Sequence, residues 1–116
     1  MTQKKRNYLF YLEDMYDSML RIQEYIEHLS LDEFSESSLV IDAVVRNLEI
    51  IGEASKHVPV SVKQKYPQLP WKQMYGLRNF IVHEYFGIDI EIIWKIISDE
   101  LPQNAKDLEA LIQTEK

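Results

Sequence analysis

At 116 residues and 13.8 kDa, with 46% hydrophobic and 28% charged residues, the chain is sized for a single domain, 1–116, that can bury a core without disulfides or metal. It has no cysteine, which excludes a disulfide framework, a Cys-ligated zinc site and a thiol nucleophile; its 3 Gly and 4 Pro disfavour a turn-rich β-sandwich. A net charge of −6, from 13 basic and 19 acidic residues, argues against coating nucleic acid through bulk charge but leaves room for a local basic site.

Lys4-Lys5-Arg6 is followed only by the apolar stretch Tyr8–Leu12 before Glu13 and Asp14, far short of a signal core. No run approaches the ~18 apolar residues of a membrane span, so a cytoplasmic protein is expected.

From about residue 5 to 29, Tyr8, Leu12, Met15, Met19, Ile22, Ile26 and Leu29 recur in alternating steps of four and three. That seam predicts a long helix packed along another. The polar run Ser30–Ser38 ends it, and Ser37 or Ser38 caps a second helix. Val40, Ile41, Val44, Val45, Leu48, Ile51, Ala54 and Val58 form the apolar face of that helix, and Pro59 closes it. Gly52 within it points to close approach of another backbone. Residues 60–68 read as a short turn of helix or a loop. Pro70 suits the first turn of a third helix, running to about Phe86 and stopping at Gly87. Asp89 caps a fourth through about Leu101, with Ile90, Ile93, Trp94 and Ile97 inward; Pro102 interrupts or restarts the chain, and Leu108, Leu111 and Ile112 mark a short last helix. The expected fold is all-α: an antiparallel bundle of four main helices plus short helical segments.

One stretch stands apart, Leu77-Arg78-Asn79-Phe80-Ile81-Val82-His83-Glu84-Tyr85-Phe86-Gly87. At about 100° per residue, Tyr85 falls about 20° behind Arg78, with Asn79 and His83 at about 100° and 140°. The four polar groups share one half of a helix, and Met74, Leu77 and Ile81 share the other. Guanidinium, imidazole, amide and phenol together suit an anionic, hydrogen-bonding ligand such as phosphate. Tyr75, Val82 and Phe86 thread the polar half, which fits a face that also meets a partner subunit. The same residues also allow a structural role, with Arg78 paired to a carboxylate, His83 at a helix end and Tyr85 packed.

Arg78-x4-His83-x-Tyr85, with Asn79 directly after the arginine, resembles the R-x4-H-x-Y signature of HEPN-domain ribonuclease toxins, and within them the HepT family of HepT–MntA toxin–antitoxin systems. Arg46–Ala54 with its Ile50-Ile51-Gly52-Glu53-Ala54, then Pro70-Trp71 and the run His83–Asp89, agree with that family, and the resemblance spans about residues 6–112. It implies an α-helical homodimer that cleaves RNA without metal or other cofactor. It also implies a nucleotidyltransferase antitoxin, MntA, that transfers AMP to Tyr85. On this reading Arg78 and His83 are catalytic and Asn79 and Tyr85 position substrate. The alternative is a non-catalytic helical module that presents substrate to a partner nucleotidyltransferase.

Between Arg46 and Tyr85 six basic residues face three acidic ones, a basic island in an acidic chain. Glu49, Glu53 and His57 recur every four residues, but a metal stripe on one helix lacks closing ligands, so links such as Arg46–Glu49 or Glu53–His57 are expected instead. His28 is expected against terminal helix carbonyls, and Trp71 and Trp94 as core or interface anchors.

Overall fold

The computed structural model describes residues 2–76 and 89–116, and every element among them is helical. Helix α1 (Thr2–Ile26) buries the predicted seam: Leu12, Met15, Met19 and Ile22 have no exposed surface, whereas Glu13, Asp14, Asp17 and Glu24 face solvent. Each such apolar side chain contributes about 1.5–3 kcal/mol by leaving water. The helix stops at Ile26, short of the expected 29, and Leu29 follows in a turn closed by its N–H on the Ile26 carbonyl.

The stretch after it is not a plain linker. A short helix, α2 (Leu31–Glu36), starts from a reciprocal cap in which Ser30 Oγ accepts from the Glu33 N–H and Glu33 Oε1 accepts from the Ser30 N–H. Phe34, fully buried, pins α2 to the core. Ser37 then closes α2 through its N–H and caps α3 (Ser38–Lys56) through its hydroxyl. Helix α3 packs antiparallel on α1 with Val44, Val45, Leu48, Ile51 and Ala54 buried, and Gly52 is buried among them. It ends at Lys56, so Val58, though buried, belongs to the turn before Pro59.

Residues 60–68 supply a true helical turn, α4 (Val60–Lys65), with Val62 inward. Helical backbone resumes over 71–76 (α5). Pro70 sits one position before it, its carbonyl accepting the Met74 N–H at 2.9 Å. The remainder of the predicted third helix, and its stop at Gly87, lie outside the described residues.

Asp89 caps α6 (Ile90–Lys95), as its sequence position predicts, with Ile93 and Ile97 buried and Ile90 and Trp94 half-buried. Pro102 does not break the chain. The backbone widens into a π-helical turn over Ile96–Glu100, where the Leu101 N–H reaches back five residues to the Ile96 carbonyl, and continues as α7 (Leu101–Glu115). A proline ring collides with the carbonyl four residues earlier in a regular helix; the wider turn relieves that collision at Ser98. Helix α7 is therefore no short appendage. It has 15 residues, buries Leu101, Ala105, Leu108, Leu111 and Ile112, and runs antiparallel along α1.

Its last turn carries a buried carboxylate. Glu115, 6% exposed, accepts from Tyr8 Oη at 2.5 Å, Tyr66 Oη at 2.8 Å and Lys65 Nζ at 3.2 Å, tying α1, α4 and α7 together. The Tyr8 hydrogen bond, with those of Tyr66 and Lys65, holds the Glu115 carboxyl below its usual range despite its burial. Burial and the Glu115 hydrogen bond push the Tyr8 phenol up to about 12. No helix among the described residues is long and apolar enough to cross a membrane.

The depressed carboxyl stabilises the fold above the ordinary carboxylate pKa, and that contribution is lost as pH falls through the depressed value. The raised phenol stabilises it below the ordinary tyrosine pKa, and that contribution is lost as pH climbs towards 12. Glu115→Ala should cost about 1–3 kcal/mol at neutral pH. It should also flatten both limbs of the urea midpoint plotted against pH, followed by circular dichroism. Phe34→Ala should cost about 3–5 kcal/mol in the same measurement.

Candidate functional site

The predicted site residues Arg78, Asn79, His83 and Tyr85, together with Val82 and Phe86, lie outside the described residues; the structure describes the frame on either side. Upstream, α5 is held by Trp71, whose indole Nε1 donates to the Tyr66 carbonyl at 2.9 Å, and by Met74, 3% exposed. Trp71 thus fills the core-anchoring role expected of it. Tyr75, on the same turn, is exposed. Downstream, Asp89 Oδ1 accepts from the Glu91 and Ile92 N–H groups at 3.0 and 3.2 Å, so α6 starts at a defined point. Trp94 packs tilted on Phe34, with ring centroids 5.2 Å apart.

Beside this frame a cavity of about 370 Å³ opens between α1, α3, α5 and the α6–α7 rod. Met19, Ile51, Met74 and Leu101 form its apolar floor. Gln73, Lys95, Glu100 and Asn104 bring polar groups to its walls. Nothing in the sequence pattern singles these residues out. Gln73 and Asn104 lie on helices far apart in the chain, and Lys95 and Glu100 flank and end the π turn that joins α6 to α7. The one legible signal was Pro102 inside a helical pattern.

A second cluster joins the far ends of α1 and α3. The Tyr11 and His57 rings stack with centroids 4.5 Å apart and planes 18° from parallel, and His57 Nε2 lies 4.0 Å from Glu53 Oε1. The Glu53–His57 link is the one expected from the four-residue spacing; its aromatic partner Tyr11 is new. No Arg46–Glu49 pair occurs among the ion pairs of the described residues. His28 is exposed beside Glu27, 3.9 Å away, rather than against helix carbonyls.

The basic island is thinner than its count. Lys65 is committed to Glu115, and Lys63 is half-buried, its ammonium pushed below the usual range by desolvation. Arg46, Lys56 and Lys72 are exposed, without an ion pair among the described residues.

A family model described as "HepT-like: Ribonuclease HepT-like" matches residues 15–113. The chain belongs to the HepT-like ribonuclease family. A protein of Methanocaldococcus jannaschii named "Putative RNase MJ1380" is 39% identical over 105 residues, covering 90% of this chain and 96% of that relative. A protein of Thermococcus cleftensis named "Probable ribonuclease HepT" is 37% identical over 98 residues, covering 84% of this chain and 89% of the relative. A third, from Caldanaerobacter subterraneus and named "Putative RNase TTE0752", is 37% identical over 106 residues, with 91% and 95% covered. No solved structure matches the chain. Membership of the HepT-like family makes the chain an endoribonuclease by class, and its all-α bundle is HEPN-like.

Asp89 begins the first described helix after the motif stretch, so its cap is open to a direct test. Asp89→Ala should lower stability by about 1 kcal/mol, and Asp89→Asn should keep most of it, read from urea midpoints.

Proposed function

We propose that this HepT-like chain is the toxin of a toxin–antitoxin pair and cuts RNA through the substrate's own 2′-hydroxyl. The observation that carries the reading is Arg78-x4-His83-x-Tyr85 in a chain matched by the HepT-like family model over residues 15–113. A base takes the 2′-hydroxyl proton and the oxygen attacks the adjacent phosphorus. The 5′-oxygen leaves with a proton from an acid, giving a 2′,3′-cyclic phosphate and a 5′-hydroxyl end. Imidazole is the side chain whose ordinary pKa lies near neutrality, which makes His83 the candidate for either proton transfer. Arg78 holds the phosphate and the charge that builds on it. Asn79 and Tyr85 position the imidazole and the RNA. Acid and base are two tasks and each chain offers one motif histidine, so a two-fold homodimer bringing two His83 side chains to one cleft completes the site.

The off switch is Tyr85. A nucleotidyltransferase antitoxin of the MntA kind would transfer AMP from ATP. The Tyr85 oxygen attacks the α-phosphorus, pyrophosphate leaves, and the new phosphodiester and base occupy space that substrate needs. The added anion also meets Arg78 and repels the RNA backbone. We place the protein in the cytoplasm, as one helical domain.

His83→Ala should lower cleavage by about 10²–10⁴-fold with the helical content unchanged. Arg78→Ala should be comparably inactive, and Arg78→Lys only partly active, because lysine lacks the planar fork. Cleavage should persist in EDTA and leave a cyclic phosphate; activity lost to the chelator and restored by Mg²⁺ or Mn²⁺ would refute the mechanism. Co-expression with the antitoxin should add the mass of AMP at Tyr85, measured on the intact protein and mapped by peptide fragmentation.

A further inference from the structure

The connection between α4 and α5 is built to be stiff. It runs Tyr66-Pro67-Gln68-Leu69-Pro70, and its two prolines each have φ fixed by a ring. Leu69 is buried, and its N–H closes on the Tyr66 carbonyl at 3.3 Å. The Trp71 N–H then closes on the Leu69 carbonyl at 2.9 Å. Little in this segment can bend independently of its two ends.

Tyr66 is where the connection meets the rest of the bundle, and both its side chain and its backbone are engaged. Its hydroxyl donates to Glu115 Oε2 at 2.8 Å, in the last turn of α7. Its carbonyl accepts the Trp71 indole Nε1–H at 2.9 Å. That carbonyl is free of helical duty because α4 stops at Lys65 and Pro67 disfavours helical backbone at Tyr66. Glu115 is itself fixed by Tyr8 of α1 at 2.5 Å and by Lys65 at 3.2 Å. The path from the α1–α7 pair to the start of α5 therefore runs through the hydroxyl and the carbonyl of one residue. Trp71 is the first residue of α5, and Arg78 follows Gly76, at the other end of 71–76, by two residues.

We propose that Tyr66 is a positioning residue for RNA cleavage: by linking the Glu115 carboxylate to the Trp71 indole, it sets the direction in which α5 leads the chain towards Arg78. This rests on the ribonuclease reading above and adds to it a residue outside the motif. Tyr66 touches no substrate and acts through Trp71. Six helical residues span about 9 Å, so a 10° error at the start of α5 displaces its far end by about 1.5 Å. A misplacement of about 1 Å at a reacting group can cost about 10²-fold in rate.

Tyr8 supplies the comparison that separates positioning from stability. Its hydroxyl bonds the same carboxylate, on Oε1 and at the shorter distance, but it belongs to α1 and not to the connection. Wild type, Tyr8→Phe, Tyr66→Phe, Trp71→Phe and the double variant Tyr66→Phe/Trp71→Phe are compared in urea midpoint, in kcat and KM on a defined RNA, and in the indole N–H resonances of Trp71 and Trp94. Both tyrosine variants should lower the urea midpoint, since each leaves Glu115 one donor short. Only Tyr66→Phe should lower kcat, by about 10–100-fold with KM little changed. It should also shift the Trp71 indole signal and leave that of Trp94 in place. The double variant should be no slower than the slower single variant, because both changes break one link.

Equal losses of kcat in Tyr8→Phe and Tyr66→Phe would make Tyr66 a contributor to stability alone and overturn the proposal. Additive losses in the double variant, or an unmoved Trp71 indole signal in Tyr66→Phe, would do the same. If Trp71→Phe does not fold, the contrast between the two tyrosine variants and the indole shift in Tyr66→Phe decide. If wild type cuts no RNA, the ribonuclease reading fails and the positioning role fails with it. If wild type cuts RNA and Tyr66→Phe matches its kcat, the positioning role alone fails and the ribonuclease reading stands.

Discussion

Everything described in this chain is arranged around the fully buried seam of α1. Leu12, Met15, Met19 and Ile22 are covered by α3 on one side and α7 on the other, and both partners run antiparallel to α1. Removing that apolar stripe from water is the main stabilising contribution available to a chain without disulfides, and a 25-residue helix gives it length enough to seat two neighbours. The short helices α2 and α4 serve this arrangement. They carry Phe34 and Val62 inward and turn the chain so that α3 and α5 enter at the right edge.

Polar groups fix what the seam leaves free. An apolar stripe tolerates sliding, whereas a hydrogen-bonded carboxylate does not. Glu115 binds groups from α1, from α4 and from the residue after α4, and so sets the axial position of α7. Tyr16 adds a second tie to α7 through Glu109 at 2.6 Å. With α7 pinned at its far end, the widening forced by Pro102 is taken up at Ile96–Glu100. That is the point where the α6–α7 rod faces α5 and the cavity opens. The same proline that makes the rod irregular thus shapes one wall of that cavity.

Sequence pattern was enough for the class of fold and for most starts. The alternation of four and three in α1, the serine before α3 and the aspartate before α6 each act within one turn of helix, and local chemistry of that kind is written in adjacent residues. Helix α2 carried its signal too, since Ser30 and Glu33 form a capping box, but six residues of polar composition concealed it. Pro102 was read as a break because a proline is judged against a regular helix; only the packing of α7 on α1 shows that the backbone goes round it. The Arg78-x4-His83-x-Tyr85 spacing was legible for a different reason: a family resemblance is read from residue types at fixed intervals, without knowing how the helices pack.

What the sequence by itself determined is therefore local or chemical: helices, their caps, the apolar stripes and the motif that marks a HepT-like ribonuclease. Tertiary structure alone decided that Glu115 is buried among two tyrosines and a lysine, that Tyr11 lies on His57, and that Gln73, Lys95, Glu100 and Asn104 surround one cavity. The reason is physical. Each of these groupings depends on the relative rotation and axial shift of helices distant in the chain, and those are settled by packing and by a few cross-helix hydrogen bonds rather than by any preference of neighbouring residues.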